Sequence, residues 1–502
     1  MELAFEQQRL TSLRRTAHPV LAQDQTQEII IPDSMPDAAR TLICYAEPEL
    51  QSKTVRAGSL LVTGTLRTSC LYAAEDGSVQ LLTAELPFAV KPESPELTEA
   101  AQTAAAISVR SADSRLINSR KVLLRVNVLV QADGYEQEEQ VQSVLTQAPA
   151  CLQTKRETYA RSVPVELAER AFQMSEELAL PDGKPQIDRL VDVRVQPVVT
   201  DRNITGGKAV MKGNAEVRLT YLDAEGHVQT AQLSAPFSQY CPLQGDYDGG
   251  EALGVQLCVT GVQLEPVTDG ASQKLLFGAG ILAQCVVYAQ QEVTALCDAY
   301  VTRGAFTPQW QEQTLTMRLD AQTLREPVRA SFQKNAAAVL DCRVYADAQA
   351  IERTEGGVTV HVPLHADILY IDPDGAVQGE SFRTELSCGT ALSENGTCEA
   401  QLQLLPEGYA AAANGAIELH YDAVFFVQTF GAQTFRNLAG GTLDPAARTG
   451  AQRPSVIICR TGSAQELWTL AKRYGTTAHA IESANHLTQP EVEAGRLLLI
   501  PM

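Results

Sequence analysis

Along residues 215–221 the side chains alternate: Ala215, Val217, Leu219 and Tyr221 fall on one side, Glu216, Arg218 and Thr220 on the other. That is the period of two of a half-buried strand. The same columns occur at Leu66, Thr68, Cys70 and Tyr72, and at Leu364, Ala366, Ile368 and Tyr370. Each closing tyrosine opens the phrase Tyr-x4-Gly-x-Val-Gln, as Tyr72 to Gln80, Tyr221 to Gln229 and Tyr370 to Gln378. An acidic cluster ending on Gly predicts a hairpin turn, because Asp tolerates turn geometry and Gly supplies positive φ. The next strand starts at Val79, Val228 or Val377. The tyrosines lie 149 residues apart both times (221 minus 72, 370 minus 221). A fixed period of this kind marks a repeated structural unit.

The register extends in both directions. Pro87-Phe88 and Pro236-Phe237 coincide, with Leu386 in the aromatic column of the third copy. Upstream, Pro32-Asp33-Ser-Met-Pro36-Asp37 matches Pro181-Asp182-Gly-Lys-Pro185-Gln186, whereas the third copy reads Ala330-Ser-Phe-Gln-Lys334. The second half of each unit repeats the strand–turn–strand outline, from Ala105 to Val130, from Val255 to Ala289 around Thr268-Asp-Gly270, and from Ala400 to Thr429 around Ala413-Asn-Gly415. Short strands at regular spacing predict an all-β body. The expected division is a lead-in at 1–28 with a short helix up to Arg15, β units at 29–150, 151–300 and 301–438, each of two small β modules, a linker at 439–455 and a domain at 456–502. A turn or two of helix is expected at Val165–Phe172. The 439–455 stretch has no periodicity and carries three Gly and two Pro, which reads as a linker.

The last domain is α+β. Val456–Thr461 reads as a strand; Ser463, with Glu466 three positions on, has capping-box spacing. Leu467, Leu470, Ala471 and Tyr474 give a helix its apolar stripe, and Gly475 ends it. Thr477 opens a second helix that closes at Asn485, and Gly495–Pro501 returns as a strand. This strand–helix–helix–strand order, with Leu467-Trp468-x-Leu-Ala471-Lys-Arg-Tyr474-Gly475, Ile481-x3-Asn485-x-Leu487 and Gly495-x2-Leu498-x-Ile500-Pro501, resembles a LysM domain. LysM domains read Gly-Asp-Thr-Leu before the first helix. Here Gly462-Ser-Ala-Gln-Glu-Leu467 is two residues longer and lacks the Asp. The resemblance implies partner or glycan binding by Gly462, Ser463, Trp468, Lys472, Arg473 and Asn485. Trp468 stands beside the buried stripe, so two readings stay open: packing under the Gly462–Gln465 loop, or an aromatic anchor for a protein partner flanked by Lys472 and Arg473.

In the body, Ile31-Pro32-Asp33-x2-Pro36-Asp37, the strand into Leu71-Tyr72-x4-Gly and Pro87-Phe88, and above all Val193 to Gln239, resemble the SPOCS domain of endospore-forming bacteria. SPOCS repeats ahead of one LysM domain are similar to the SipL family of clostridial spore-coat morphogenetic proteins. The resemblance implies a mother-cell protein at the forespore surface and spore coat. Its expected partners are a SpoIVA-like coat-basement ATPase or other coat proteins, with peptidoglycan of the cortex or wall as the alternative ligand. The expected role is a non-enzymatic scaffold.

Composition narrows the partners further. At 502 residues with 45% hydrophobic residues the chain can bury several cores. It has no apolar run long enough to span a bilayer and no basic-then-apolar start, so a cytosolic product without membrane insertion is expected. The net charge of −20 lies outside residues 455–502, which hold four basic and four acidic residues. An acidic body repels nucleic acid. Eleven scattered cysteines read as buried thiols, with Cys388 and Cys398 the closest in sequence to a cross-linkable pair.

No catalytic, cofactor or metal set is expected. Cys342 sits in a strand column, and Ser331 and Lys334 lack the companion motifs of serine acyl-transferases. Asp33 and Asp37 stand among prolines at a strand entrance. His361 and His365 lie on an alternating strand, and Gly206-Gly207-Lys208 lacks the rest of a phosphate loop.

Overall fold

The computed structural model describes the chain except for residues 1, 248, 268–273, 392–395, 445, 448–453 and 490. Unit 1 contains β1 (Phe5–Ala17), β2 (Val20–Ile30), β3 (Ala38–Arg56), β4 (Ser59–Ala74), β5 (Val79–Val90), β6 (Gln102–Asn118) and β7 (Lys121–Leu145). Unit 2 contains β8 (Leu152–Ala179), β9 (Arg189–Thr205), β10 (Lys208–Leu222), β11 (Val228–Pro242), β12 (Ala252–Pro266) and β13 (Lys274–Val301). Unit 3 contains β14 (Ala305–Phe332), β15 (Ala338–Ala346), β16 (Ala350–Thr354), β17 (Gly357–Ile371), β18 (Val377–Ala391), β19 (Thr397–Leu404), β20 (Tyr409–Ala413) and β21 (Ala416–Asp444). All of their pairings are antiparallel.

Each unit stacks two sheets over one core. The first is a meander, β3-β4-β5, β9-β10-β11 or β15/β16-β17-β18. In the second, the unit's last strand lies between its first and its penultimate strands: β1/β2-β7-β6, β8-β13-β12 and β14-β21-β19/β20. A single register pair, Ser162 with Arg318, links the sheets of units 2 and 3.

The repeated columns face inward as alternation requires: Leu66, Cys70 and Tyr72, Ala215, Leu219 and Tyr221, and Leu364, Ile368 and Tyr370 are all buried. The turn glycines Gly77, Gly226 and Gly375 adopt φ of 84°, 80° and 85°, which side chains resist. Asp223 and Asp372 accept the turn's backbone N–H groups and the amide of Gln229 or Gln378, which explains the Gln in the second and third copies; in the first, where Ala74 replaces the Asp, Gln80 donates to the Ser78 hydroxyl. The proline motif is explained as well. Tyr72 and Tyr221 donate to the carbonyls of Pro36 and Pro185 at 3.0 and 2.9 Å. Tyr370, in the copy without prolines, donates to Glu380 instead. The aromatic column co-varies with its neighbour: Phe88 and Phe237 pair with Gly64 and Gly213, while Leu386 pairs with Val362. A Cβ at either glycine would overlap the phenylalanine ring.

Three sequence expectations are corrected. Residues 1–28 are not a lead-in with a helix: β1 and β2 pair with β7 along its length. Residues 165–172 lie inside strand β8, not in a helix. Both stretches are rich in helix formers, but they are the first strand of a unit and pairing with the last strand overrides propensity. The expected linker overlaps β21 as far as Asp444. The turn at Thr268–Gly270 lies outside the described residues.

The three units close into a ring. Leu42, Val191 and Leu340, each 149 residues from the next, meet in one cluster with Val79, Val228 and Val377, which share the same spacing. Beside this cluster lies a polar knot drawn from all three units. Buried Asp341 accepts from Tyr45 Oη at 2.8 Å, Arg218 Nη2 at 2.8 Å and Thr220 Oγ1 at 2.9 Å. Arg343 meets Glu47 of unit 1 and Asp192 of unit 2. Hydrogen bonds from Arg67 to the Val193 carbonyl and from Arg40 to the Val377 carbonyl carry the contact around the ring. The outer halves of β1/β7, β8/β13 and β14/β21 project as three ribbons packed through Leu145, Leu152, Leu296 and Leu438, and through Val293, Leu315 and Phe435.

Candidate functional site

The C-terminal domain comprises β22 (Val456–Arg460), β23 (Gln465–Glu466), α1 (Leu467–Tyr474), α2 (Ala478–Asn485), β24 (Glu491–Val492) and β25 (Leu497–Pro501). Its core is Leu467, Leu470, Ala471, Ile481, Val492, Leu498 and Ile500, the stripe that helical spacing predicts. Gly475 ends α1 at φ 69°, and the Thr477 hydroxyl caps α2 by accepting from the Ala480 N–H at 3.1 Å. Ser463 does not cap α1. Gln465 and Glu466 are drawn into a two-residue pairing with Glu491 and Val492, so the helix starts only at Leu467 and Glu466 is its uncapped N-terminal neighbour.

The six predicted site residues are not brought together. Gly462 and Ser463 are exposed in the loop before β23, and Arg473 is exposed on α1. Asn485 fastens α2 to β25: its amide donates to the carbonyls of Ile481 and Leu499, and its oxygen accepts from the Leu499 N–H. Trp468 and Lys472 share a partner that neither reading of the indole named. Trp468 Nε1 donates to Asp298 at 2.9 Å and Lys472 Nζ reaches the same carboxylate at 2.6 Å. The indole lies edge-on to Tyr300, with ring centroids 4.9 Å apart. Tyr300 Oη donates to the Thr476 carbonyl, and Lys155 pairs with Glu466. The domain therefore rests on the outer end of the β8/β13 ribbon instead of hanging free of the body. Burial raises the Asp298 carboxyl, but the hydrogen bonds from Lys472 and Trp468 outweigh it and hold the group below the usual carboxylate range.

The sequence reading missed a second feature. β22 and β25 form a two-stranded sheet whose inner residues feed the core, and whose outer face shows Val456, Ile458, Leu497 and Leu499 at 51, 64, 65 and 44% exposure. A signal was available: Val456-Ile-Ile and Leu497-Leu-Leu-Ile are unbroken aliphatic runs in strands that have only one face to bury. Asp298 and Tyr300 gave none, being about 170 residues away from Trp468.

The other candidates have structural occupations. Asp33 and Asp37 both hold Arg120, at 3.0 and 2.9 Å, and Lys334 pairs with Glu380. Cys342 is buried in β15. His361 lies against Glu385 and Glu352, and His365 against Asp347. Among the described residues Asp223, Glu225 and His227 bring three ligand-type atoms together, at the exposed turn that Asp223 already organises.

Residues 186–264 match the family model of the SipL SPOCS domain, and residues 466–501 match that of the LysM domain. The chain carries both domains. No curated protein and no solved structure matches it. SPOCS and LysM are non-catalytic binding domains, and the pair supports a sporulation-related protein with peptidoglycan-binding potential. The SPOCS match runs from the entrance of β9 through β12, so it takes in the whole unit 2 meander and one strand of the sheet stacked on it. The LysM match begins at Glu466, the point where the chain leaves its bridge and enters α1. Among the described residues no helix is long and apolar enough to cross a membrane.

Proposed function

We propose that this chain is a non-enzymatic scaffold of spore-coat or envelope assembly, acting in the mother cell at the forespore surface. In this reading the closed β ring is the rigid body, and the LysM domain recognises a protein, either a SpoIVA-like coat-basement ATPase or another coat protein. The observation that supports a protein partner is the outer face of β22 and β25. Four aliphatic side chains exposed side by side suit an apolar protein surface, whereas a hydroxyl-rich glycan is held by polar groups. The lengthened Gly462–Gln465 loop, without the family's Asp, also departs from a glycan-reading groove. The second reading, peptidoglycan binding, rests on the LysM match itself.

The test replaces Ile458 and Leu497 by Glu in the full-length chain. Both side chains point outward, so the domain core is untouched. A pull-down of the coat ATPase that falls at least tenfold, with sedimentation on purified peptidoglycan unaltered, supports the protein reading. Retained pull-down with strong peptidoglycan binding favours the second.

A further inference from the structure

Cys388 and Cys398 are the cysteines that sequence spacing singles out, but Cys388 turns towards Glu326 Oε1, at 3.9 Å. The sulfurs that meet lie elsewhere. Cys241, on β11, and Cys285, on β13, are separated by 44 residues, belong to the two opposed sheets of unit 2, and have their Sγ atoms 3.5 Å apart in its core. Both are closed to solvent. Cys285 lies between Val255 and Ala168 in the register of its sheet, and Cys241 opposite Ala209. A core thiol pair needs no contact between the sulfurs to fill its space. Here Cys285 donates to Cys241 across the gap between the sheets.

We propose that Cys241 and Cys285 are an oxidative cross-linking site, joined by a disulfide when the protein meets a hydroperoxide. The Cys241 thiolate attacks one peroxide oxygen, the O–O bond breaks, Cys241 becomes a sulfenic acid, and the departing hydroxide takes up the proton that the Cys241 thiol released, leaving as the first water. Cys285 sulfur then attacks the Cys241 sulfur. The S–S bond forms, hydroxide departs and takes up the Cys285 proton as a second water. Two thiols lose two electrons in all, and one hydrogen peroxide becomes two waters.

The order of attack follows from the surroundings. The hydrogen bond from Cys285 and the nearby Arg170 guanidinium favour the Cys241 thiolate against the cost of burial, so its pKa is lowered, while the same contact raises that of Cys285. Cys241 is therefore the nucleophile and Cys285 the resolving thiol. Access is through the end of β11. Cys241 is the penultimate residue of that strand, followed by exposed Pro242, and strand ends open locally at low cost. Hydrogen peroxide is small enough to use such an opening. The bond would tie the meander of unit 2, the part matched by the SPOCS family model, to the sheet beneath it.

The experiment treats the reduced full-length chain with one equivalent of hydrogen peroxide, denatures it in iodoacetamide, digests it without reductant and maps thiols by mass spectrometry. The expected result is a peptide pair linking Cys241 to Cys285 that dithiothreitol separates. The urea midpoint should also rise on oxidation, and the rise should vanish in Cys285→Ser. Carbamidomethylation of both residues, or overoxidation of Cys241 with no linked peptide, overturns the proposal. The mapping is done on the native sequence, so it decides even if Cys285→Ser fails to fold.

Discussion

Asp298 is one carboxylate holding two side chains of another domain, and its protonation controls that hold. Its pKa is depressed in the folded chain, so its contribution is fully present above the ordinary Asp value of about 4 and is lost as pH falls through the folded-state pKa. Acidification below pH ~4 is therefore expected to free Trp468 from the ribbon, seen as a change in indole fluorescence in a Trp310→Phe background. Asp298→Asn should remove that pH dependence; an unchanged profile would show that the carboxylate does not hold the domain. Arg218 makes the opposite kind of contact, an ion pair sealed between units. Arg218→Ala leaves the Asp341 carboxylate buried without its cationic partner, held only by the Tyr45 and Thr220 hydroxyls and the Cys342 N–H, and urea unfolding should show a loss of about 3–5 kcal/mol. Replacing both partners, as Arg218→Met with Asp341→Leu, should cost far less, since no charge is then stranded. A loss below about 1 kcal/mol in the single variant would mean that water reaches the knot.

At the level of strands, the alternating columns, the hairpin turns and the 149-residue register were readable because each is a local pattern repeated three times. The first strand of each unit was not. In Val165-Glu-Leu-Ala-Glu-Arg-Ala-Phe172 the residues favour helix, and only the partner strand more than a hundred positions away makes them β. The recognition domain was legible for the same reason as the columns, its stripe, the Thr477 cap and the closing glycine being local, whereas the Ser463 capping box was displaced by the pairing of Gln465 and Glu466 with Val492 and Glu491. Its seat on the ribbon depends on Asp298 and Tyr300, which no spacing connects to Trp468. The strand contacts that close the ring show one asymmetry. Position 379 is Gly where the equivalent residues are Leu81 and Thr230, and a Cβ there would overlap the backbone carbonyl of Leu42 in unit 1. Gly379→Ala should push β18 off β3 and cost about 1–3 kcal/mol, whereas Thr230→Ala should be milder. Equal melting temperatures for the two variants would show that the closing contact yields freely.

On the scale of the whole chain, ring closure changes what the repeats can do. A head-to-tail contact that did not close would present an unused copy of itself at each end and run on into a filament. Here unit 3 meets unit 1, so that contact is satisfied internally. A chain ended after Val301 should expose Leu42 and Val191 and self-associate, while the full chain sediments as a single species. Monomeric behaviour of the truncation would mean that the inter-unit cluster contributes little. The pairing of first with last strands has a further consequence, for synthesis. Phe5 pairs with Leu145, Leu152 with Val301 and Ala305 with Asp444, so no unit can complete its second sheet until its final residues have left the ribosome. At 5–20 residues per second that is roughly 7–30 s per unit, during which β1, β8 or β14 waits on the nascent chain with both edges open. Any factor that shields such a strand during translation would meet the same demand three times in one polypeptide.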